Sequence, residues 1–228
     1  IADSSDATAI TIDSSERIGI GVTPERQLHV EGSGAEISLV DTQRTSNSRT
    51  ANMFIDSSNR ANLRMMNDAM DSAAVGVQFD SSGRVTMPNQ PTFRVGRLTD
   101  YTHTAGQNIQ WNHGHFNVGS HFNTASTYVF TAPVAGVYWF QATVIIRAVA
   151  NGTNLYDALR FRINGAVNGY SSRRGVYNTT SMSHGYFVDE IADAYQLSAN
   201  DTVGISCEHN VSIHGNNLYT RFNGFLVG

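Results

Sequence analysis

An all-β sandwich is the fold class that this 228-residue sequence predicts, on three observations. From Phe93 onward, short runs with alternating apolar side chains are separated by turns rich in Gly, Asn and Ser. No helical period of useful length appears in that stretch. Asn164-Gly165, preceded by Leu159-Arg160-Phe161-Arg162-Ile163, is a strong hairpin signal, because a tight hairpin turn needs positive φ at both central residues.

Residues 1–90 differ from the rest. They contain no Trp or Tyr and two Phe, and are rich in Ser, Asp, Asn and Ala. Such a segment buries too little apolar surface to fold alone, so neighbouring copies of the chain are expected to hold it. A short pattern recurs within it: Ile12-Asp13-Ser14-Ser15-Glu16-Arg17-Ile18, then Ile55-Asp56-Ser57-Ser58-Asn59-Arg60-Ala61, then Phe79-Asp80-Ser81-Ser82-Gly83-Arg84-Val85. Each reads as strand end, turn, arginine, new strand, with Asp and Ser side chains bonding the turn backbone. The spacing is too uneven for a regular solenoid. Residues 61–72, ANLRMMNDAMDS, fit either a short helix or a strand: Leu63, Met66 and Met70 have helical spacing, whereas the flanking turns favour strands. Met87-Pro88-Asn89-Gln90-Pro91 reads as an extended linker. The expected division is therefore 1–90 and 91–228.

In the second part, strands are expected over Gln107 to Trp111, Tyr128 to Thr131, Val137 to Arg147, Ala158 to Ile163, His184 to Glu190, Val203 to Glu208 and Leu218 to Val227. Their number and spacing point to a jelly roll. The centre is Phe130 to Ala142, FTAPVAGVYWFQA. A Pro-Gly turn closes one strand, and Val137-Tyr138-Trp139-Phe140 opens the next with apolar residues on both faces. One face belongs to the domain core; the other must be covered by something else.

These residues closely resemble the C1q/TNF-like jelly roll. The match reads Phe130, Thr131, Ala132, Pro133, Gly136, Tyr138 and Phe140, then Phe222, Gly224, Phe225 and Leu226, with Pro91-Thr92-Phe93-Arg94-Val95 as the opening strand. Leu197 to Val203 occupies the place of the family's Leu-x-x-Gly-Asp-x-Val turn, with Asn200 for the glycine; asparagine also tolerates positive φ. The resemblance covers about residues 91–228 and implies a homotrimer, with Tyr138, Phe140, Phe222 and Phe225 as core or trimer-interface residues. Separately, Arg17, Gly19, Ile20, Gly21, Pro24, Leu28, His29 and Val30 resemble a module of bacteriophage tail-fibre and related virion proteins. That resemblance implies a chain-intertwined trimeric shaft. Val22-Thr23 departs from the Thr-Thr or Thr-Ser usual before the proline.

Composition narrows the function. Net charge is −4, all fifteen basic residues are arginines, and they are scattered except at Arg173-Arg174. A nucleic-acid surface wants clustered positive charge, so nucleic acid is not an expected partner. No apolar run is long enough for a membrane helix, so membrane insertion is not expected. Cys207 has no intrachain partner and is expected to be buried packing. No nucleophile elbow, P-loop, dinucleotide fingerprint or zinc-protease motif is present. Asp189 and Glu190, adjacent on a strand, point to opposite faces and cannot flank one bond. No catalytic residues, cofactor or enzymatic role are expected. The sequons at Asn151, Asn178, Asn200 and Asn210 are read as chance in an Asn- and Thr-rich chain.

Two local features remain candidates. His113-Gly114-His115 places two imidazoles on one face of an extended chain, and three copies around an axis would offer six to a metal ion; the alternative is a polar loop. The stretches Ala150 to Asn154 and Ser171 to Asn178 are candidate ligand loops; the second holds Arg173 and Arg174 next to Tyr170 and Tyr177, a set suited to acidic glycans through stacking and guanidinium forks, and the alternative is a solvated turn. The leading functional expectation is a non-enzymatic homotrimeric bacteriophage virion protein, a fibre or appendage at the particle surface. It would contact other virion proteins through residues 1–90 and either bind host-surface glycan or decorate the particle. The alternatives are a secreted C1q-like recognition protein of a cellular organism and, less favoured, a polysaccharide depolymerase.

Overall fold

The computed structural model describes residues 9–45, 49–147, 154–155, 159–170, 176–177 and 186–228. The chain divides into two compact units, Ile1–Asn89 and Gln90–Gly228. The first holds β1 (Ile10–Ile12), β2 (Ile18–Ile20), β3 (Leu28–Val30), β4 (Glu36–Val40), β5 (Thr50–Ile55), β6 (Ala61–Met66), β7 (Ala73–Phe79) and β8 (Val85–Thr86). The second begins with β9 (Thr92–Gly96), β10 (Tyr101–His103), β11 (His113–Asn117), β12 (Phe130–Thr131), β13 (Gly136–Arg147), β14 (Asn154–Leu155) and β15 (Leu159–Ile163). It continues with β16 (Ala166–Tyr170), β17 (Val176–Tyr177), β18 (Tyr186–Leu197), β19 (Thr202–Cys207), β20 (Val211–Ile213) and β21 (Arg221–Leu226). Among the described residues the only helical element is a single 3-10 turn, Val118–Ser120.

The first unit holds two sheets, whose hairpins β1–β2, β5–β6 and β7–β8 share one turn design. At Asp13, Asp56 and Asp80 the carboxylate accepts the backbone N–H two and four residues on, at 2.9 and 3.0 Å in each case. Its second oxygen accepts the Nε–H of Arg17, Arg60 or Arg84. The residue before each arginine takes positive φ: Glu16 at 60°, Asn59 at 58°, Gly83 at 77°. The repeated Asp-Ser-Ser-x-Arg is thus a hairpin clasp in which one carboxylate satisfies the turn's N–H groups.

These bonds hold the three carboxyls below their usual range. At Asp13 the Arg17 guanidinium leads, and at Asp80 the Arg84 backbone N–H. At Asp56 partial burial pushes upward, but the N–H groups of Arg60 and Ser58, the Asn62 amide and the Arg60 side chain outweigh it and bring the pKa to about 2. A carboxyl depressed on folding binds fewer protons than its unfolded counterpart, so it stabilises above the unfolded value of 3.8 and ceases to as pH falls through the folded one. Thermal midpoints of the full chain are expected to drop between about pH 5 and pH 2. In the triple variant D13N/D56N/D80N that acid dependence should shrink.

The module carried by Arg17 to Val30 has a physical reading. β2 lies antiparallel to β1 and parallel to β3. A Cβ on Gly19 would sit 2.1 Å from the Val22 carbonyl oxygen and 3.0 Å from Pro24, while Gly21 has φ of 75°. The loop therefore folds back against bare backbone at Gly19, and His29 Nδ1 accepts the Glu25 N–H at 3.5 Å to pin it.

The second sheet is a meander, β4-β5-β6-β7-β8. Residues 61–72 settle as strand β6 followed by a turn at Asn67–Ser72, because Asn62 and Arg64 alternate with Leu63 and Met65. The polar face is the more covered one. Asn52 donates to Ser38 at 2.8 Å and accepts from Arg64 Nε at 3.0 Å, Arg64 reaches Glu36 at 2.8 Å, and Gln78 donates to Asn62 at 2.7 Å. The opposite face is apolar. Met66 is the only described hydrophobic residue of this unit that is buried.

The second unit is a two-layer jelly roll. In the large sheet β13 is flanked on one edge by β18 and on the other by β21 and β20; β21 leads on to β9 and β11, β20 to β10. The small sheet runs β12-β19-β15-β16. The core lies between them: Phe93, Val95, Tyr138, Phe140, Ala142, Val144 and Phe222 from one layer meet Phe130, Leu159, Phe161, Val203, Ile205 and Cys207 from the other. Burial pushes the Cys207 thiol up to about 11, which suits an inert packing residue. Asn164 and Gly165, at φ of 52° and 80°, make the β15–β16 hairpin. Asn200 has φ of 73° and its N–H donates to the Ala132 carbonyl at 2.7 Å, which is why asparagine serves there. Gln107 to Trp111, expected as a strand, forms only an isolated bridge at Asn108 with Ser206; Ile109 and Trp111 are anchored as buried side chains instead.

Gly224 shows why the closing strand needs its glycine. A Cβ there would lie 2.3 Å from the Phe140 ring and 2.9 Å from the Phe93 ring. Gly224→Ala is expected to destabilise the unit by about 1–3 kcal/mol, the range for overpacking, read as a lower denaturation midpoint.

Candidate functional site

The outward face of the large sheet is where the two-sided strand β13 becomes functional. Alternation sends Tyr138 and Phe140 into the core, both fully buried, and Val137, Trp139 and Gln141 outward. Tyr138 therefore does not face an outer contact; its hydroxyl donates to the Val134 carbonyl at 2.9 Å inside the same chain. Phe140 and Phe222 are likewise core. Phe225, 43% exposed, is the one of the four expected residues that lies outside.

Register assembles the rest. Trp139 sits between Phe225 on β21 and Ala194 on β18, Gln141 between Asn223 and Ala192, and Thr143 between Arg221 and Glu190. Trp139 and Phe225 rings are 5.5 Å apart. Ala192 and Ala194 put only small side chains on that side of the indole, and Trp139 is half-buried. One row away, Glu190 accepts from Thr143 at 3.2 Å and from the Gln141 amide. Asp189 points the other way, buried, and accepts the Leu159 N–H at 3.1 Å. Beside the aromatic pair, a depression of about 390 Å³ is bounded by Arg94, Phe116, Gln141, Arg221 and Asn223. Arg94 Nε is buried there without a hydrogen-bond partner. An apolar centre ringed by amides and ions is the make-up of a protein–protein interface.

Within residues 92–227 the sequence matches the C1q domain family. The chain belongs to that family. Its C1q domain is similar in fold to the globular domain of zebrafish complement 1qA protein, at 21% identity and TM-score 0.44 over 61% of this chain and 98% of that one. It is similar also to murine APRIL, at 10% identity and TM-score 0.42 over 60% and 99%, and to Eiger TNF from S. frugiperda, at 13% and 0.44 over 61% and 94%. No curated protein matches the chain.

The other expected sites fall elsewhere on the C1q domain. His113 and His115 lie on β11 at a sheet margin, their rings 4.8 Å apart. A bulge between Gly114 and Phe116 sets His115 out of register, and its Nε2 is 3.1 Å from the Asn217 carbonyl. Among the described residues no group of three or more His, Cys, Asp or Glu forms a metal cage. One chain thus supplies at most this pair, with one ring nitrogen of His115 already engaged. Arg173 and Arg174 lie outside the described residues, as do the side chains of Tyr170 and Tyr177. The backbone nevertheless pairs Asn154 with Tyr177 and Leu155 with Val176.

A polar cleft of about 230 Å³, not foreseen from the sequence, is lined by Tyr101, His103, Gln107, Asn108, Thr127 and Tyr128 among others. Tyr101 accepts the Gln110 N–H at 3.1 Å and bonds His103 Nδ1 at 3.1 Å, while His103 Nε2 is 3.4 Å from the Cys207 carbonyl. The set is consistent with a neutral imidazole protonated at Nε2. Burial lowers the His103 pKa and raises that of Tyr101 to about 12. The cleft is therefore neutral at pH 7, rich in hydroxyl and amide groups. Its signal was hidden because contributors come from two loops, one of which turns on Tyr128 at φ of 57°.

Proposed function

We propose that this chain is a non-enzymatic, homotrimeric virion protein of a bacteriophage, a fibre or surface appendage whose C1q domain forms the head. The observation that carries the reading is the partly exposed Trp139–Phe225 centre on the outer sheet face, which a C1q domain has reason to keep only if other copies cover it. The first unit supports the virion role: its repeated clasps and Gly19–Gly21 module build short exposed strands rather than the collagen or heptad stalk that a secreted C1q-like protein calls for. Light scattering of the full chain tests the trimer, and a folded monomer at micromolar concentration overturns it. Electron microscopy of phage particles labelled with antibody to this chain tests the particle location; absence of label overturns it.

For the attachment role, the Tyr170–Tyr177 run is the acidic-glycan contact. Substituting Arg173 and Arg174 by Ser is expected to leave the melting midpoint nearly unchanged, since charges that serve a ligand rather than a fold contact contribute little to stability. Adsorption to host cells should fall, most at low salt where the lost attraction is least screened. Unchanged adsorption moves the role from attachment to particle decoration.

A further inference from the structure

The β4–β8 sheet of the first unit wears its apolar face outward. Ile37, Met53, Leu63 and Val77 form one row across four strands. Ile55, Ala61, Phe79 and Val85 form another. Eight large hydrophobic residues of this face, Leu39 and Met65 included, are between 42% and 70% exposed. The β1–β3 sheet repeats the design, with Ile12 beside Ile18 and Leu28, all three exposed. Meanwhile the opposite face of β4–β8 is already covered, with buried Asn52, Asn62 and Gln78 hydrogen-bonded within the sheet. Water is thus left against hydrocarbon while polar groups are satisfied within the sheet.

We infer that the apolar face of β4–β8 is an assembly surface occupied by the same face of further copies of this chain. Eight large apolar side chains, each about half exposed, form a patch on the order of several hundred Å², more than a soluble monomer commonly leaves open and comparable with the roughly 800 Å² that one partner gives to a stable interface. The residue types point to the same occupant. The eight are aliphatic or Met except Phe79, with no Trp, Tyr or Arg among them. Interfaces between different proteins are anchored by those residues, whereas permanent homo-oligomer interfaces resemble a domain core cut in half. The inference rests on the trimer reading for the number of copies, but places the contact in a different unit from Trp139 and Phe225.

The test is solvent access in the full-length chain. Leu63→Cys, or Met53→Cys should the first fail to fold, is compared with Ser82→Cys in an exposed clasp, using a water-soluble maleimide. Cys207 is buried and serves as the unreactive background. In an assembled chain, labelling at position 63 or 53 is expected to be at least about tenfold slower than at 82, as for a core position that opens only rarely. A trimer by light scattering with equally fast labelling overturns this inference and leaves the head contact standing. A monomer with fast labelling overturns both. A monomer with slow labelling also overturns the inference, because the face is then covered by its own chain.

Discussion

Trp139→Asp is expected to weaken association through the C1q domain about a thousandfold while each chain stays folded. In the assembly this substitution places a carboxylate at the centre of the outer sheet face, beside Phe225 and the two alanines of β18. Desolvating an unpaired charge costs several kcal/mol, and each 1.4 kcal/mol is about a tenfold change in the association constant. Dissociation by more than about a thousandfold should therefore be visible by light scattering at micromolar concentration. The chain itself should stay folded, because Trp139 is not part of the core cluster. Tyr138→Asp is the contrasting variant. Tyr138 is fully buried, so its carboxylate is stranded within one chain and the expected product is an unfolded polypeptide. An association constant unchanged by Trp139→Asp would move the C1q-domain contact to another face.

Truncating Phe140 is expected to have the largest effect on stability. Its ring lies 5.6 Å from Phe130, 6.0 Å from Phe222 and 6.3 Å from each of Phe93 and Phe161, and none of it is exposed. Phe140→Ala removes the ring that joins the two layers and should cost about 3–5 kcal/mol, transfer and cavity terms together. Against a domain stability of about 5–15 kcal/mol, that is a large fraction of the whole. Denaturant unfolding followed by tryptophan fluorescence measures it. Phe225→Ala serves as the control: that ring is partly exposed and its loss should shift the midpoint of the monomeric unit far less. Equal losses at the two positions would contradict the inside–outside division of this face.

That division was only half legible in the sequence. Alternation showed that Val137 to Phe140 is apolar on both sides, and period two alone placed Tyr138 with Phe140 and against Trp139. Which pair faced the core required knowing what stands opposite. Gly224 decides it: the missing Cβ lets Phe140 and Phe93 close over the backbone, which puts Phe225 outside. The same limit applies to the helix-or-strand ambiguity at residues 61–72, where local spacing fitted both. Strand pairing on both sides, with β5 and β7, settled it.

The sequence by itself determined the all-β class, the Asn164-Gly165 hairpin, the positive-φ asparagine at position 200 and the recurring Asp-clasp turns. All of these are written in residues close together along the chain, where backbone sterics and side-chain-to-turn hydrogen bonds act. Tertiary structure decided which apolar faces remain open, how Trp139 meets Phe225 across a strand boundary, and that a neutral cleft forms around Tyr101 and Tyr128. Those features depend on register between strands far apart in sequence. A one-residue shift in register moves every side chain to the other face, and only the packed sheets select among such shifts.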